Sequence, residues 1–297
     1  MKRVLTAVVL IPLVLVAVFR APIWLLSGLV AVVALLALHE YLTIADAHGY
    51  KTFRPLTMML AILMYGMVVW AATTPALSAW EVLVAFVFYF ALAPFVYLCA
   101  GMMRQDLRTV LPGAAMSYIG LPYVVFSLAC VIFLRMVAGG WFFLLFTFCC
   151  VWIGDTAAYY AGRAFGHLKF SPRISPKKTW EGAIASVLAS NIIGIVLVHF
   201  APEINSGLVA IKLLTAREIF VDTPLWIPAI IALVINVAAQ LGDLFESLIK
   251  RGAAIKDSGT LLPGHGGVLD RIDALLFAAP VALIIFGGFV DKFLQMP

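Results

Sequence analysis

The sequence predicts an all-α fold: a polytopic integral membrane bundle of about nine transmembrane helices, with its N-terminus in the cytoplasm. Three observations carry this. The 297 residues are 64% hydrophobic and only 12% charged, against roughly half and about a quarter in soluble domains, and the mean hydropathy is +1.08. The apolar residues fall in continuous runs of the ~17–25 residues that a spanning helix needs, not in the alternating ~10-residue segments of a membrane barrel. Lys and Arg sort onto alternate connections, fifteen on one side and five on the other, and the richer side is cytoplasmic by the positive-inside rule.

The runs are read in order. Residues 4–19 follow Met1-Lys2-Arg3, no small-residue cleavage site closes them, and Arg20 comes next. They are therefore expected to be an uncleaved first span and not a signal peptide. Only Arg20-Ala21-Pro22 separates them from the second span, 22–45, so the pair forms a tight hairpin. Spans 56–72, 81–103 and 110–134 carry almost no ionisable residue. Spans 141–160, 180–200, 225–248 and 272–290 complete the set, and an odd number places the C-terminus outside. The outer connection 201–224, with Glu203, Lys212, Arg217, Glu218 and Asp222, is long enough for a short surface helix and carries no identifiable chemistry. We divide the chain into N-terminal transmembrane helices, 1–110, and a C-terminal transmembrane catalytic region, 111–297. There is no internal repeat, low-complexity tract or soluble domain. The cysteines (Cys99, Cys130, Cys149 and Cys150) all sit in apolar runs without metal-ligand spacing and read as small buried hydrophobes.

Chemistry concentrates in two cytoplasmic stretches, Trp152–Gly182 and Gln240–Asp273. Asp155, Asp243 and Glu246 lie within spans or at their inner ends, and Asp270 and Asp273 open the last span. A charge in hydrocarbon costs ~2.5–3.5 kcal/mol on insertion scales, so it is usually paired and usually functional. Asp243, Glu246, Ser247 and Lys250 fall at i, i+3, i+4 and i+7 on one helix face, and Asp270 and Asp273 share another. Two acidic faces joined by a cytoplasmic loop can converge on a divalent cation, and hard oxygen ligands suit Mg²⁺, with a second cation as a further candidate. The plainer reading pairs these acids with Lys250, Arg251 and Arg271 as helix caps.

Anion donors come from the same stretches. "PGHGG", Pro263–Gly267, frees backbone N–H groups to approach a phosphate, a helix start adds further unpaired N–H groups, and His265 can touch phosphate or move a proton. In "ISPKKTWEG", Ser175 reads as an N-cap with Pro176 at the first helical position, and Lys177, Lys178 and Thr179 supply donors there. It is not a Walker A loop, because no glycine stands six before or directly before Lys178. The plainer reading is an ordinary basic cytoplasmic loop. Carboxylates for a metal, two basic helix starts and a site at the membrane surface are the parts that phosphoryl or nucleotidyl transfer requires.

The same residues resemble the signature of the phosphatidate cytidylyltransferase (CDP-diacylglycerol synthase) family over Ser247–Asp273. Every fixed position of that signature is met: Ser247, Lys250-Arg251, Lys256-Asp257, Gly259, Pro263, His265-Gly266-Gly267, Asp270-Arg271 and Asp273. Asp155, Tyr159, Gly162-Arg163, Phe165-Gly166 and "ISPKKTWEG" resemble a second region of the family. The resemblance implies the Mg²⁺-dependent reaction of CTP with phosphatidic acid to CDP-diacylglycerol and pyrophosphate, in an inner-membrane enzyme of phospholipid synthesis with its active site facing the cytoplasm. It implies Asp243 and Asp270 as metal acids; Glu246, Asp273 and Asp155 join them as metal candidates from their place at the span ends. Lys250, Arg251 and His265 join Asp243 and Asp270 in the catalytic set. Ser175, Lys177, Lys178, Thr179, Lys256, Gly266, Gly267 and Arg271 are the expected substrate contacts. The expected partners are CTP, phosphatidic acid and membrane lipids, with a second copy of the chain as a candidate and no nucleic acid. The rival readings are a CTP-dependent transferase or kinase acting on another lipid phosphate or a polyprenol and, more remotely, a cation-coupled transporter. Transport is disfavoured because the polar residues gather at one face and do not line a path through the bilayer.

Overall fold

A computed structural model of the chain describes residues 12–74, 77–214, 220–259 and 266–289. The chain forms two compact units. One comprises residues 23–132 and 249–272; the other comprises residues 1–22, 133–248 and 273–297.

The first unit holds α1 (Ile23–Ala47), α2 (Arg54–Thr73), α3 (Ala79–Gly101) and α4 (Val110–Gly120). Pro55 stands in the first turn of α2, where its missing N–H is no loss. Ser78 starts α3 with a reciprocal cap: its hydroxyl accepts from Glu81 N at 3.2 Å, and the Glu81 carboxylate accepts from Ser78 N at 2.7 Å. Beyond α4 the helix widens into a π turn at Leu121–Phe126 before resuming as α5 (Ser127–Met136). Pro122 explains the widening, because it lacks an N–H and its ring clashes with the carbonyl four residues back. The Ser127 hydroxyl donates to the Pro122 carbonyl at 3.1 Å. Helices α1 and α4 meet closely at Gly120, where a methyl group would lie 2.9 Å from Leu38 Cδ1 and Tyr41 Cε1. The Tyr41 hydroxyl donates to the Met116 carbonyl at 2.8 Å. Arg104 ties the α1–α2 connection, donating to the Lys51 and Thr52 carbonyls at 2.7 and 2.8 Å with its guanidinium 3.5 Å above the Phe53 ring.

The second unit is built on α6 (Gly140–Phe165), an antiparallel hairpin of β1 (Lys169–Ser171) and β2 (Ser175–Thr179), α7 (Trp180–His199) and α8 (Ala201–Ala210). To these it adds most of α9 (Trp226–Gly252) and of α10 (Leu269–Phe289). Phe286 stacks on Phe143 with centroids 4.3 Å apart and meets Phe146 edge-on. A buried polar network joins three helices. Asn236 Nδ2 donates to the Ser186 and Ser190 hydroxyls at 2.9 and 2.8 Å, Ser190 donates to the Cys150 carbonyl at 2.7 Å, and Gln240 donates to Asn236 Oδ1 at 2.7 Å. An amide left unpaired in hydrocarbon costs several kcal/mol, so these bonds fix the relative rotation of α6, α7 and α9.

Among the described residues, seven helices are long and apolar enough to cross a membrane: Ile23–Ala47, Arg54–Thr73, Ala79–Gly101, Leu107–Met136, Gly140–Phe165, Trp180–His199 and Trp226–Gly252. They match the spans expected at 22–45, 56–72, 81–103, 110–134, 141–160, 180–200 and 225–248, and they make the chain a multi-pass membrane protein. The last expected span, 272–290, falls on α10. Of the first, residues 4–11 lie outside the described residues, and 12–20 are helical. Helix α8 is the short helix expected in the connection 201–224. Cys130 and Cys150 are buried, Cys149 is half-buried and Cys99 is exposed; all four are free thiols.

Candidate active site

In the second unit the site begins with a close helix crossing. A methyl at Gly182 would stand 2.8 Å from the Ala158 carbonyl and 3.3 Å from Gly162 Cα, so α6 and α7 run nearly backbone to backbone. The crossing sets the hairpin beside the last turns of α6. The hairpin is clasped from α7. The Glu181 carboxylate accepts from His167 N at 2.9 Å and Leu168 N at 3.1 Å, Trp180 N donates to the Leu168 carbonyl at 2.9 Å, and the Trp180 ring packs edge-on against Phe170.

This corrects the capping expected for "ISPKKTWEG". The N-cap is Thr179, whose hydroxyl accepts from Gly182 N at 3.2 Å, while Ser175–Thr179 is extended and paired with β1. Ser-Pro mimics a helix start locally, but the cross-strand bonds hold Ser175 and Pro176 in the hairpin. Lys177 is exposed on that strand. Lys178 turns inward, and its Nζ lies 2.7 Å from Asp243 Oδ2.

Asp243 is the hub of an acidic cluster. A methyl at neighbouring Gly242 would stand 2.5 Å from the Asp273 carbonyl and 3.2 Å from Ala274 Cα, so α9 and α10 also cross tightly here. Asp155 feels the charges of Asp243 and Lys178, and Asp273 feels those of Asp243, Glu246 and Asp155. Ser247 donates to Asp243 Oδ1 at 3.5 Å, and Glu246 is buried at 1% exposure. Four carboxylates from α6, α9 and α10 thus gather within one unit beside one lysine. Among the described residues, no three His, Cys, Asp or Glu side chains stand in a ready-made metal shell. The donor set is nonetheless of the hard-oxygen kind that suits Mg²⁺, and a cation would relieve the repulsion among these acids.

The first unit places Asp270 differently. Its Oδ1 accepts from Lys250 Nζ, and its Oδ2 accepts from Ser258 N and Gly267 N at 2.9 Å each. Gly266 has φ +79°, and a methyl there would lie 2.6 Å from Asp270 Oδ2, so this turn requires glycine twice over. The expectation that α10 starts with unpaired N–H groups is corrected. Val268 N donates to Glu40 Oε1 at 3.0 Å, Leu269 N donates to Glu40 Oε2 at 2.8 Å, and Asp270 N donates to the Ser258 hydroxyl at 3.3 Å. Protein carboxylates already occupy this helix start. Arg251 donates to the Ile255 carbonyl at 3.1 Å, and Lys256 and Arg271 have exposed side chains. Pro263 and His265 lie outside the described residues.

Three contributors were not legible as site residues: Glu40, Glu181 and Gly242. Glu40 carried the signal that exposed Asp155, a lone acid inside an apolar run. Glu181, in the first turn of α7, clasps the hairpin.

The model of the cytidylyltransferase family matches residues 1–289. The chain belongs to the cytidylyltransferase family. Within it, the phosphatidate cytidylyltransferase of Haemophilus influenzae is 42% identical over 141 residues, which cover 48% of this chain and 44% of that protein. That of Brucella melitensis is 42% identical over 145 residues, 49% of this chain and 46% of that protein. That of Rickettsia prowazekii is 34% identical over 185 residues, 62% of this chain and 76% of that protein. The chain thus spans less than half the length of the first two cytidylyltransferases and about three quarters of the third.

Proposed function

We propose that the chain is a CTP:phosphatidate cytidylyltransferase working at the cytoplasmic face of the cell's inner membrane. The family match over residues 1–289, with relatives that carry that name, is the observation that carries the reading. The carboxylate–lysine cluster supports it chemically. A phosphate oxygen of phosphatidic acid attacks the α-phosphorus of CTP, the bond to the β-phosphate breaks, and CDP-diacylglycerol and pyrophosphate result. Bound Mg²⁺ would neutralise phosphate charge and fix the triphosphate for in-line displacement. Asp243, with Asp155, Glu246 and Asp273 around it, would hold the ion, and Asp270 is the second acid that the family resemblance marks. Lys178 can exchange its partner Asp243 for a phosphate oxygen, and Lys177 stands exposed on the same strand.

The test is purified protein in detergent given labelled CTP and phosphatidic acid, with and without Mg²⁺. Lipid-linked label is expected only when all three are present; its absence from the complete mixture would sink the proposal.

Two further outcomes follow from the same reading. Lys178→Gln removes one charge-assisted hydrogen bond, worth ~1.5–3 kcal/mol or roughly ten- to a hundredfold. Its apparent KM for CTP or phosphatidate should rise by about that factor in steady-state kinetics, whereas unchanged kcat and KM for both substrates would leave Lys178 only a topology signal. For orientation, in a variant without the native cysteines, Arg173→Cys should be shielded from membrane-impermeant thiol reagents in intact cells and Glu203→Cys should be labelled. The opposite pattern would put the hairpin on the side that cytoplasmic CTP does not reach.

A further inference from the structure

Glu40 lies in α1, within an apolar run, and is only 5% exposed. Its carboxylate reaches residues more than two hundred positions later. Oε2 accepts from Leu269 N at 2.8 Å and from the Ser258 hydroxyl at 3.0 Å, and Oε1 accepts from Val268 N at 3.0 Å. These partners lie on both sides of residues 260–265 along the chain, so one side chain ties Ser258 to the start of α10. The same backbone sets Asp270, through Ser258 N and Gly267 N on Oδ2 and through the Ser258 hydroxyl on Asp270 N. Glycine lets the acid approach. A methyl at Gly259 would stand 2.6 Å from Glu40 Oε1, and one at Gly267 would collide with Glu40 Oε2 and the Ser258 hydroxyl. No other residue type fits at Gly267 without displacing the carboxylate.

We infer that Glu40 is a positioning residue for the reaction, holding Ser258 and the first turn of α10 so that Asp270 keeps one orientation. The inference rests on the cytidyl-transfer reading. All three groups facing the carboxylate are donors, so the position requires a side chain that only accepts. Glutamine is nearly the same size, yet whichever way its amide is turned, an NH₂ meets a backbone N–H. Aspartate keeps the acceptor chemistry and loses a methylene of reach.

The experiment pairs backbone amide exchange, read by mass spectrometry on substrate-free full-length protein in detergent, with steady-state kinetics. In Glu40→Gln, exchange over residues 266–269 should accelerate about tenfold or more, while peptides from α6 and α7 keep wild-type rates. Its kcat should fall about tenfold or more, and Glu40→Asp should recover part of both effects. Ser258→Ala, which removes one of the three donors, should raise local exchange by a smaller factor and serves if Glu40→Gln does not accumulate. Wild-type exchange and kcat in Glu40→Gln, exchange rising alike in every helix, or Glu40→Asp no better than Glu40→Gln would each overturn the role. If wild-type protein transfers no cytidylyl group, the functional reading fails, and the exchange contrast still decides whether Glu40 holds the start of α10.

Discussion

Asp243→Asn should lower cytidylyl transfer by about a hundredfold or more while leaving the folded protein nearly as stable as before. The activity loss follows from the proposed role: a lost metal acid removes charge neutralisation and substrate positioning together, several kcal/mol in all, and each 1.4 kcal/mol is about tenfold. The small stability change follows from exposure. The Asp243 and Lys178 side chains are 36% and 26% exposed, and pairs this open to solvent contribute ~0–1 kcal/mol. Asn also keeps the shape and still accepts from Ser247. Thermal unfolding in detergent and initial rates at saturating Mg²⁺ check both halves. Near-normal turnover would remove Asp243 from the metal site.

Asp270→Asn should cost both activity and stability. Asp270 and Lys250 are only 12% and 11% exposed, and removing one partner of a buried pair typically costs ~3–5 kcal/mol. The amide would also set an NH₂ against Lys250 or against the Ser258 and Gly267 N–H groups. Stability and chemistry can be separated with a second change. Asp270→Asn with Lys250→Gln removes the charge that Asp270 answers, so it should regain much of the unfolding temperature and none of the rate. If the double variant recovered turnover as well, Asp270 would be a structural acid only.

The spans were legible because twenty-odd apolar residues can do little else than cross a bilayer. The shared face of Asp243 and Glu246 follows from their i, i+3 spacing on α9, but the nearness of Asp155 and Asp273 comes from contacts distant along the chain. What the sequence hides depends on contacts distant along the chain. The hairpin Lys169–Thr179 looks like a helix start because Ser-Pro is common there, and only pairing with β1 overrules it. The π turn needs Pro122 in the middle of a long apolar run, where a kink or a break would read the same. Glu40 meets its partners more than two hundred residues away, and no local pattern encodes such a contact. The occupied start of α10 follows from it: glycines that look suited to a phosphate instead admit two protein carboxylates.

Two preparations of CTP, one labelled at the α-phosphorus and one at the γ-phosphorus, each with phosphatidic acid and Mg²⁺, decide which phosphorus reaches the lipid. Cytidylyl transfer predicts α-label in the lipid product and γ-label in released pyrophosphate. Gamma-label in lipid with α-label left in a soluble nucleotide would show a kinase, and the assignment as a cytidylyltransferase acting on phosphatidate would be contradicted.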